Sequence, residues 1–376
     1  MIVLVFNAGS SSLKFALFHV AEAPELLFVG EAEDIGEPQG HFSAKGADGA
    51  VMASLNEPIS SGKDAAARAI ALLRQFHLPS PDAIGHRIVH GGTELSDHVL
   101  IDDTVVAKLE SAAAFAPLHV PAALEILRVS RLHFPDVPQV ACLDTAFHTG
   151  MPDVARRFPL PEEFAKHGIR RYGFHGLSCE SIMRRLAPKI PSRIVIAHLG
   201  SGASVTAVLH GRSIDTSMGL TPMGGIMMAT RSGDLDPGLL IYLAREEGYT
   251  PASLETLLDR GSGLAGISGL SGDLRVLRRA PENEQARLAI DMFCYSARKD
   301  IAAMAAALEG LDLLVFTGGI GEHDGEICDR ICAGMEWLGS FAVHAMAPLE
   351  EEQIAIHASH LVARRNDALR VPGDDE

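Results

Sequence analysis

The sequence has 376 residues, 47% of them hydrophobic, and a formal net charge of −16 at pH 7. That length supports two or three domains with cores of their own, and the acidic balance argues against nucleic acid or an anionic membrane surface as the main partner. The five cysteines, Cys142, Cys179, Cys294, Cys328 and Cys332, are odd in number and scattered, so they read as free thiols of a reducing compartment and not as a disulfide framework or a metal site.

In chain order, residues 2–6 and 13–20 read as strands around a turn rich in Gly and Ser. The apolar spacing of 63–77 predicts a helix, and 82–92 a strand entering a Gly-rich loop. Helices are expected over 103–115 and 121–133, followed by a buried strand at 137–145 that ends on an acid. A second strand pair spans 192–210, helices follow near 237–247, 251–260 and 282–309, and a last strand in 311–326 opens onto glycines and then a helix. This alternation predicts an α/β protein. The amino terminus lacks a basic leader and no apolar run approaches the roughly 18 residues of a spanning helix, so a cytoplasmic protein is expected.

The strand pairs repeat. "IVLVFNAGSSSLKFAL" (2–17) aligns without gaps over "IVIAHLGSGASVTAVL" (194–209) at an offset of 192 residues, with Ile2/Ile194, Val3/Val195, Ser12/Ser204 and Leu17/Leu209 identical. Such turns suit ordinary hairpins. They also suit phosphate, because Gly and Ser bring backbone N–H groups and hydroxyls close to an anion. Two copies half a chain apart, with the glycine run at 318–321, favour the phosphate reading and predict two similar domains facing one cleft. "GSGLAG" (261–266) follows a helical segment and not a strand, so it is no dinucleotide fingerprint, and no P-loop motif occurs.

Polar residues gather at predicted strand ends and in Gly-rich loops: Asn7, Ser10, Ser12, Lys14, Arg87, Asp144, His175, His198, Arg231, Asp273 and Arg275. The blocks "NAGSSSLKF", "HRIVHGG", "APLH", "DTAFH", "RYGFHG", "AHLG", "SMGLTP", "TRSGDLDP" and "FTGGIGE" follow one another along nearly the whole chain. With them the chain resembles the acetate kinase family of carboxylate phosphotransferases, members of the actin, sugar-kinase and heat-shock ATPase superfamily. The resemblance implies two duplicated ribonuclease-H-like (actin-like ATPase) domains around a nucleotide cleft. They are expected at 1–146 and 147–376, the second binding nucleotide and forming a homodimer.

The activity it implies is reversible, in-line phosphoryl transfer from ATP to acetate with Mg²⁺ or Mn²⁺, giving acetyl phosphate and ADP. A propionate or butyrate kinase, and a nucleotide-binding regulator without turnover, are the alternatives. Arg87, Asp144, His175 and Arg231 would be catalytic. Val89, Leu118, Phe174 and Pro222 would form the pocket for the acid's carbon end. Ser10, Ser12, Lys14, His198, Gly200, Gly202, Asp273, Arg275, Gly318, Gly319 and Gly321 would hold the nucleotide, and Asn7 and Asp367 the metal. The chemistry agrees: a carboxylate is ionised near pH 7 and needs no strong base, so the enzyme's task is to position two anions and neutralise their charge.

The family pattern is broken at Val120 and Ser201, where Asn is usual, at Cys179, where His is usual, and at Gly224, where Glu is usual. The carboxyl terminus is expected to lack the family's Glu-Glu pair and closing helix, leaving Asp367 as the nearest acid.

Overall fold

Aliphatic runs buried on both sides make the central strands, as strands covered on both faces require. In a computed structural model, which describes residues 1–9, 11–117 and 119–370, the chain divides into two compact units. The first comprises Met1–Ala146 together with the segment from Leu349 onward, and the second Phe147–Pro348.

The first unit holds β1 (Ile2–Ala8), β2 (Leu13–Val20), β3 (Pro24–Glu33), β4 (His41–Gly46), β5 (Val51–Asn56), β6 (Ala83–Ile88), β7 (Val99–Leu100) and β8 (Gln139–Leu143). They form one sheet in the order β5-β4-β3-β2-β1-β6-β8-β7. β1 runs antiparallel to β2 and parallel to β6, and β6 parallel to β8. Successive residues of a strand face opposite ways, and β6 shows what covers each face. A methyl group at Gly85 would lie 2.5 Å from the side chain of Ile354, so the helix Glu350–Arg370 packs there closely enough to require glycine. His86 points the other way, into a buried cluster with Gln139 (2.9 Å) and Ser130 of the helix Val120–His133. Burial lowers the His86 pKa to about 4, so its ring is neutral at pH 7.

The carboxyl-terminal helix corrects the expectation that none would close the chain. Ile354, Ala355, Ala358 and Val362 are buried at helical spacing, and the helix packs on β1, β2, β6 and β8. It therefore groups with the first unit, whereas the sequence division put everything after 146 in the second.

The second unit holds β9 (Arg193–Leu199), β10 (Ala203–Leu209), β11 (Arg212–Thr216), β12 (Leu313–Thr317) and β13 (Ala342–Ala345), ordered β11-β10-β9-β12-β13. β9 is antiparallel to β10 and parallel to β12, and β12 parallel to β13. The stretch β3-β2-β1-β6-β8 has the same order and the same strand directions. The duplication is thus one of topology. The gapless alignment does not survive across the turn: Ala8 pairs with Leu13 but Leu199 with Ala203, a turn shorter by one residue. Ser12 lies in the first turn, while Ser204 lies in β10 opposite His198, so their identity does not mark equivalent positions.

Candidate active site in two residue sets

The first set lies where the parallel strands β1, β6 and β8 end, the edge at which open α/β sheets place their ligands. Asp144 follows β8 and is fully buried. Its Oδ2 accepts from Arg87 Nε at 3.0 Å and from Nη2 at 2.5 Å. Arg87 Nη1 reaches the Asn7 side-chain oxygen at 3.4 Å and the Ala8 carbonyl at 3.3 Å. The amide nitrogen of Asn7 donates to Glu350 Oε2 at 3.0 Å and Glu351 Oε1 at 2.7 Å. Burial works against the charge on Arg87, but Asp144, Glu350 and Glu351 outweigh it and hold the guanidinium firmly protonated.

Glu350 and Glu351 were not anticipated. The acids that meet Asn7 stand in the first turn of the carboxyl-terminal helix, while Asp367 is exposed about four turns further along it. The signal was present in "LEEEQIAIHASHLV", acids followed by apolar residues at helical spacing. The Glu350 and Glu351 carboxylates at the Asn7 amide are hard oxygen donors of the kind that suits Mg²⁺ or Mn²⁺.

Other expected members of this set are placed less centrally. Lys14 pairs across the hairpin from Asn7 and is exposed. The Ser12 carbonyl accepts from the Gly9 N–H at 2.8 Å, closing the turn. Val89 is buried just beyond β6. Ser10 and Leu118 lie outside the described residues.

The second set surrounds the β9–β10 turn. His175 has left-handed backbone angles (φ 58°, ψ 28°) and precedes the helix Gly176–Leu186. Its Nδ1 is 2.9 Å from Ser204 Oγ, and its ring stacks on that of His198 with centroids 4.1 Å apart and 13° between planes. His198 Nδ1 is in turn 2.9 Å from Ser178 Oγ. Arg231 is held by Asp259 through Nε at 2.9 Å, and its Nη1 donates to the Pro222 carbonyl at 3.2 Å. A methyl group on Gly202 would lie 3.3 Å from Arg231 Nη1 and 3.4 Å from His175 Nε2, so both side chains converge on the turn.

The remaining glycines divide. A methyl group on Gly200 would lie 3.7 Å from His198 Nε2 and 4.0 Å from the Gly319 nitrogen. Gly318, at φ +77°, would bring one within 3.1 Å of His198 Nε2 and 2.6 Å of the Leu199 carbonyl oxygen. Gly200, Gly202, Gly318 and Gly319 thus gather around the histidines. Gly321 instead packs on Phe316. Phe174 is buried beside His175. Asp273 caps the helix Leu274–Arg278 and pairs with Arg275 at 2.7 Å, an exposed couple that holds the Asp273 carboxyl below its ordinary pKa.

The departures from the family pattern have local explanations. Val120 is fully buried, and Cys179 packs among Ile182, Ile194, Ile196, Val208, Leu313 and Val315, so apolar side chains suit both places. The Ser201 carbonyl accepts from the Ala229 N–H at 3.3 Å, tying the turn to the loop that carries Arg231. A side chain at Gly224 would start 3.0 Å from Asp234 Oδ1.

Chemically the sets differ. The first offers carboxylate and amide oxygens around one guanidinium; the second offers imidazole and guanidinium donors around a glycine turn, an environment for an anion. The Acetokinase family model matches residues 2–364. An acetate kinase of Nitrobacter hamburgensis is 46% identical over 90% of this chain and 85% of its own length. A crystal structure of Porphyromonas gingivalis acetate kinase superposes with a TM-score of 0.84 at 35% identity, covering 96% of this chain and 99% of that one. A propionate kinase from Francisella tularensis gives 0.87 at 36%, with the same coverage.

Proposed function

The chain belongs to the acetokinase family, and from that premise we propose that it is an acetate kinase, transferring the γ-phosphoryl group of ATP reversibly to acetate. The observation that carries the reading is the convergence of Arg231 and His175 on the glycine turn at Gly202. Acetate is already an anion at pH 7, so its attack on phosphorus is opposed mainly by charge. Arg87 and Arg231 grip the acid's carboxylate and the transferring phosphoryl group. His175 donates to the equatorial oxygens from Nε2, because its Nδ1 is engaged by Ser204. Asp144 keeps Arg87 charged and oriented.

Asn7, Glu350 and Glu351 would hold Mg²⁺ or Mn²⁺, which supplies charge neutralisation to the polyphosphate. Backbone at Gly200, Gly202, Gly318 and Gly319, with His198, lines the path of the nucleotide, and Ser12 and Lys14 serve its phosphates. Phe174, Pro222 and Val89 set the room left for the acid's carbon chain.

A second reading, a propionate kinase, is favoured by the likeness to the Francisella enzyme. One methylene changes binding by about 1–3 kcal/mol in an apolar pocket, so the acid series decides. With ATP, Mg²⁺ and hydroxylamine as trap, kcat/KM is expected to fall from acetate to propionate to butyrate. A maximum at propionate selects the second reading, and no hydroxamate from any acid removes both.

A second copy of the chain is the expected partner. The helix Pro237–Glu246 buries none of its residues although Leu239, Ile241 and Tyr242 are apolar, and Tyr295 on the helix Glu284–Ala307 is 62% exposed. Among the described residues no helix is long and apolar enough to cross a membrane, and all five cysteines are free thiols. A cytoplasmic location suits both.

A further inference from the structure

We propose that His148 is a positioning residue for phosphoryl transfer, holding the Phe174–His175 peptide so that the His175 ring is aimed at the reacting group; the claim rests on the role given to His175 above. His148 is 1% exposed. Its Nε2 lies 3.0 Å from the Phe174 carbonyl oxygen and its Nδ1 2.9 Å from Ser213 Oγ. A carbonyl only accepts, so Nε2 carries the proton and Nδ1 accepts from the Ser213 hydroxyl. Burial lowers the His148 pKa to about 4, against the pull of the Phe174 carbonyl and Glu180, so this one neutral tautomer persists at working pH.

The backbone explains why such a clamp is needed. His175 sits at φ 58°, a region that residues with a Cβ enter at a cost. The carbonyl before its Cα is held by His148, and the carbonyl after it accepts from the Cys179 N–H at 3.0 Å as the helix begins. With both flanking peptides fixed, φ and ψ of His175 are fixed, and Ser204 and the His198 ring set the remaining side-chain torsions.

The preceding residues are seated in the same way. A methyl group at Gly173, where φ is +77°, would lie 2.7 Å from the His148 ring and 2.6 Å from the Thr216 methyl, so the backbone lies directly against the imidazole. The Tyr172 N–H donates to the Gly219 carbonyl at 3.0 Å, and Arg171 Nη1 spans the carbonyls of Thr216, Ser217 and Met218 at 2.9, 2.8 and 3.2 Å. His148 and Arg171 thus seat residues 171–175 from two sides, and neither side chain takes part in the chemistry.

The test compares wild type, His175→Ala, His148→Asn, His148→Gln and Ser213→Ala by steady-state kinetics, with acetyl phosphate trapped as the hydroxamate and Tm measured alongside. Small displacements of a reacting group cost up to roughly a hundredfold in rate, so His148→Asn, which cannot reach the Phe174 carbonyl, is expected to lower kcat about 10–100-fold. KM for acetate and ATP should move little. His148→Gln, whose amide nitrogen reaches the place of Nε2, should recover most of kcat. Wild-type kcat in His148→Asn, or equal impairment of the Asn and Gln variants at equal Tm, overturns the proposal. If the Asn variant does not fold, Ser213→Ala decides: release of the tautomer lowers kcat a few-fold at constant KM, and an unchanged kcat overturns the claim. Wild type without product overturns the functional reading itself, and a fully active His175→Ala removes the role on which this inference stands.

Discussion

The hairpins β1–β2 and β9–β10 occupy the same place in two sheets of matching order, yet their turns are gripped by opposite kinds of group. Around the first, Asn7 is held by two carboxylates of the carboxyl-terminal helix, and Arg87 by a third, Asp144. Around the second, His175 and Arg231 close on Gly202, and His198, stacked on His175, on Gly200. The difference teaches that duplication preserved the frame while the charge was divided: acids gather near one turn, donors near the other.

The largest expected effect on stability comes from removing the buried acid of the first set. Asp144→Ala leaves Arg87 without its carboxylate; breaking a buried pair in this way costs about 3–5 kcal/mol. Both Tm and activity should fall sharply, the latter by at least about 10². A variant as stable and active as wild type would break the division of charge proposed for the first turn.

The next test separates Glu351 from Asp367. Loss of a group that supports a metal typically weakens affinity about 10–100-fold, so Glu351→Ala should raise the Mg²⁺ concentration for half-maximal activity by about that factor. Asp367→Ala should leave it unchanged. The reverse result would return the metal to the far end of the helix.

The smallest effect contrasts two carboxylates. Asp144 is compensated by Arg87, whereas Asp300 has its pKa pushed up to about 6, chiefly by burial and then by Asp234, with Asp215 adding and Lys299 and Arg171 opposing. Its folded pKa exceeds the ordinary carboxyl value of 3.8, so the folded state binds the proton more tightly. Stability from this group is full below that ordinary value and is lost as pH rises through about 6. Asp300→Asn should therefore raise Tm by a few degrees at pH 7 and change it little at pH 4. The opposite ordering would show that Asp300 is compensated as Asp144 is.

What could be read from sequence follows from how each element is buried. The strands β1, β2, β6, β8, β9, β10 and β12 are runs of apolar residues between turn signals, and the helices at 62–75, 120–133 and 284–307 repeat at helical spacing. The edge strands β5 and β13, and β4 next to β5, carry no such signal: β13 is exposed throughout and β5 mostly so. The Arg87–Asp144 and Arg231–His175 groupings were anticipated as members of one site, but Asp259 and Ser204, which hold Arg231 and His175, and Ser178, which holds His198, were not. Partners such as these are fixed by tertiary packing, and nothing in a local window distinguishes them. Ser204 was even matched to the wrong residue, since aliphatic strands slide past one another in an alignment without penalty.

The most direct test of the divided-charge account measures acetyl phosphate formation from ATP and acetate in wild type, Arg87→Ala and Arg231→Ala under identical conditions. An arginine on a transferring phosphoryl group is worth about 10³–10⁵ in rate, and the account predicts an active wild type with a loss of about 10³ in each variant. Wild-type turnover after removal of either arginine would contradict it.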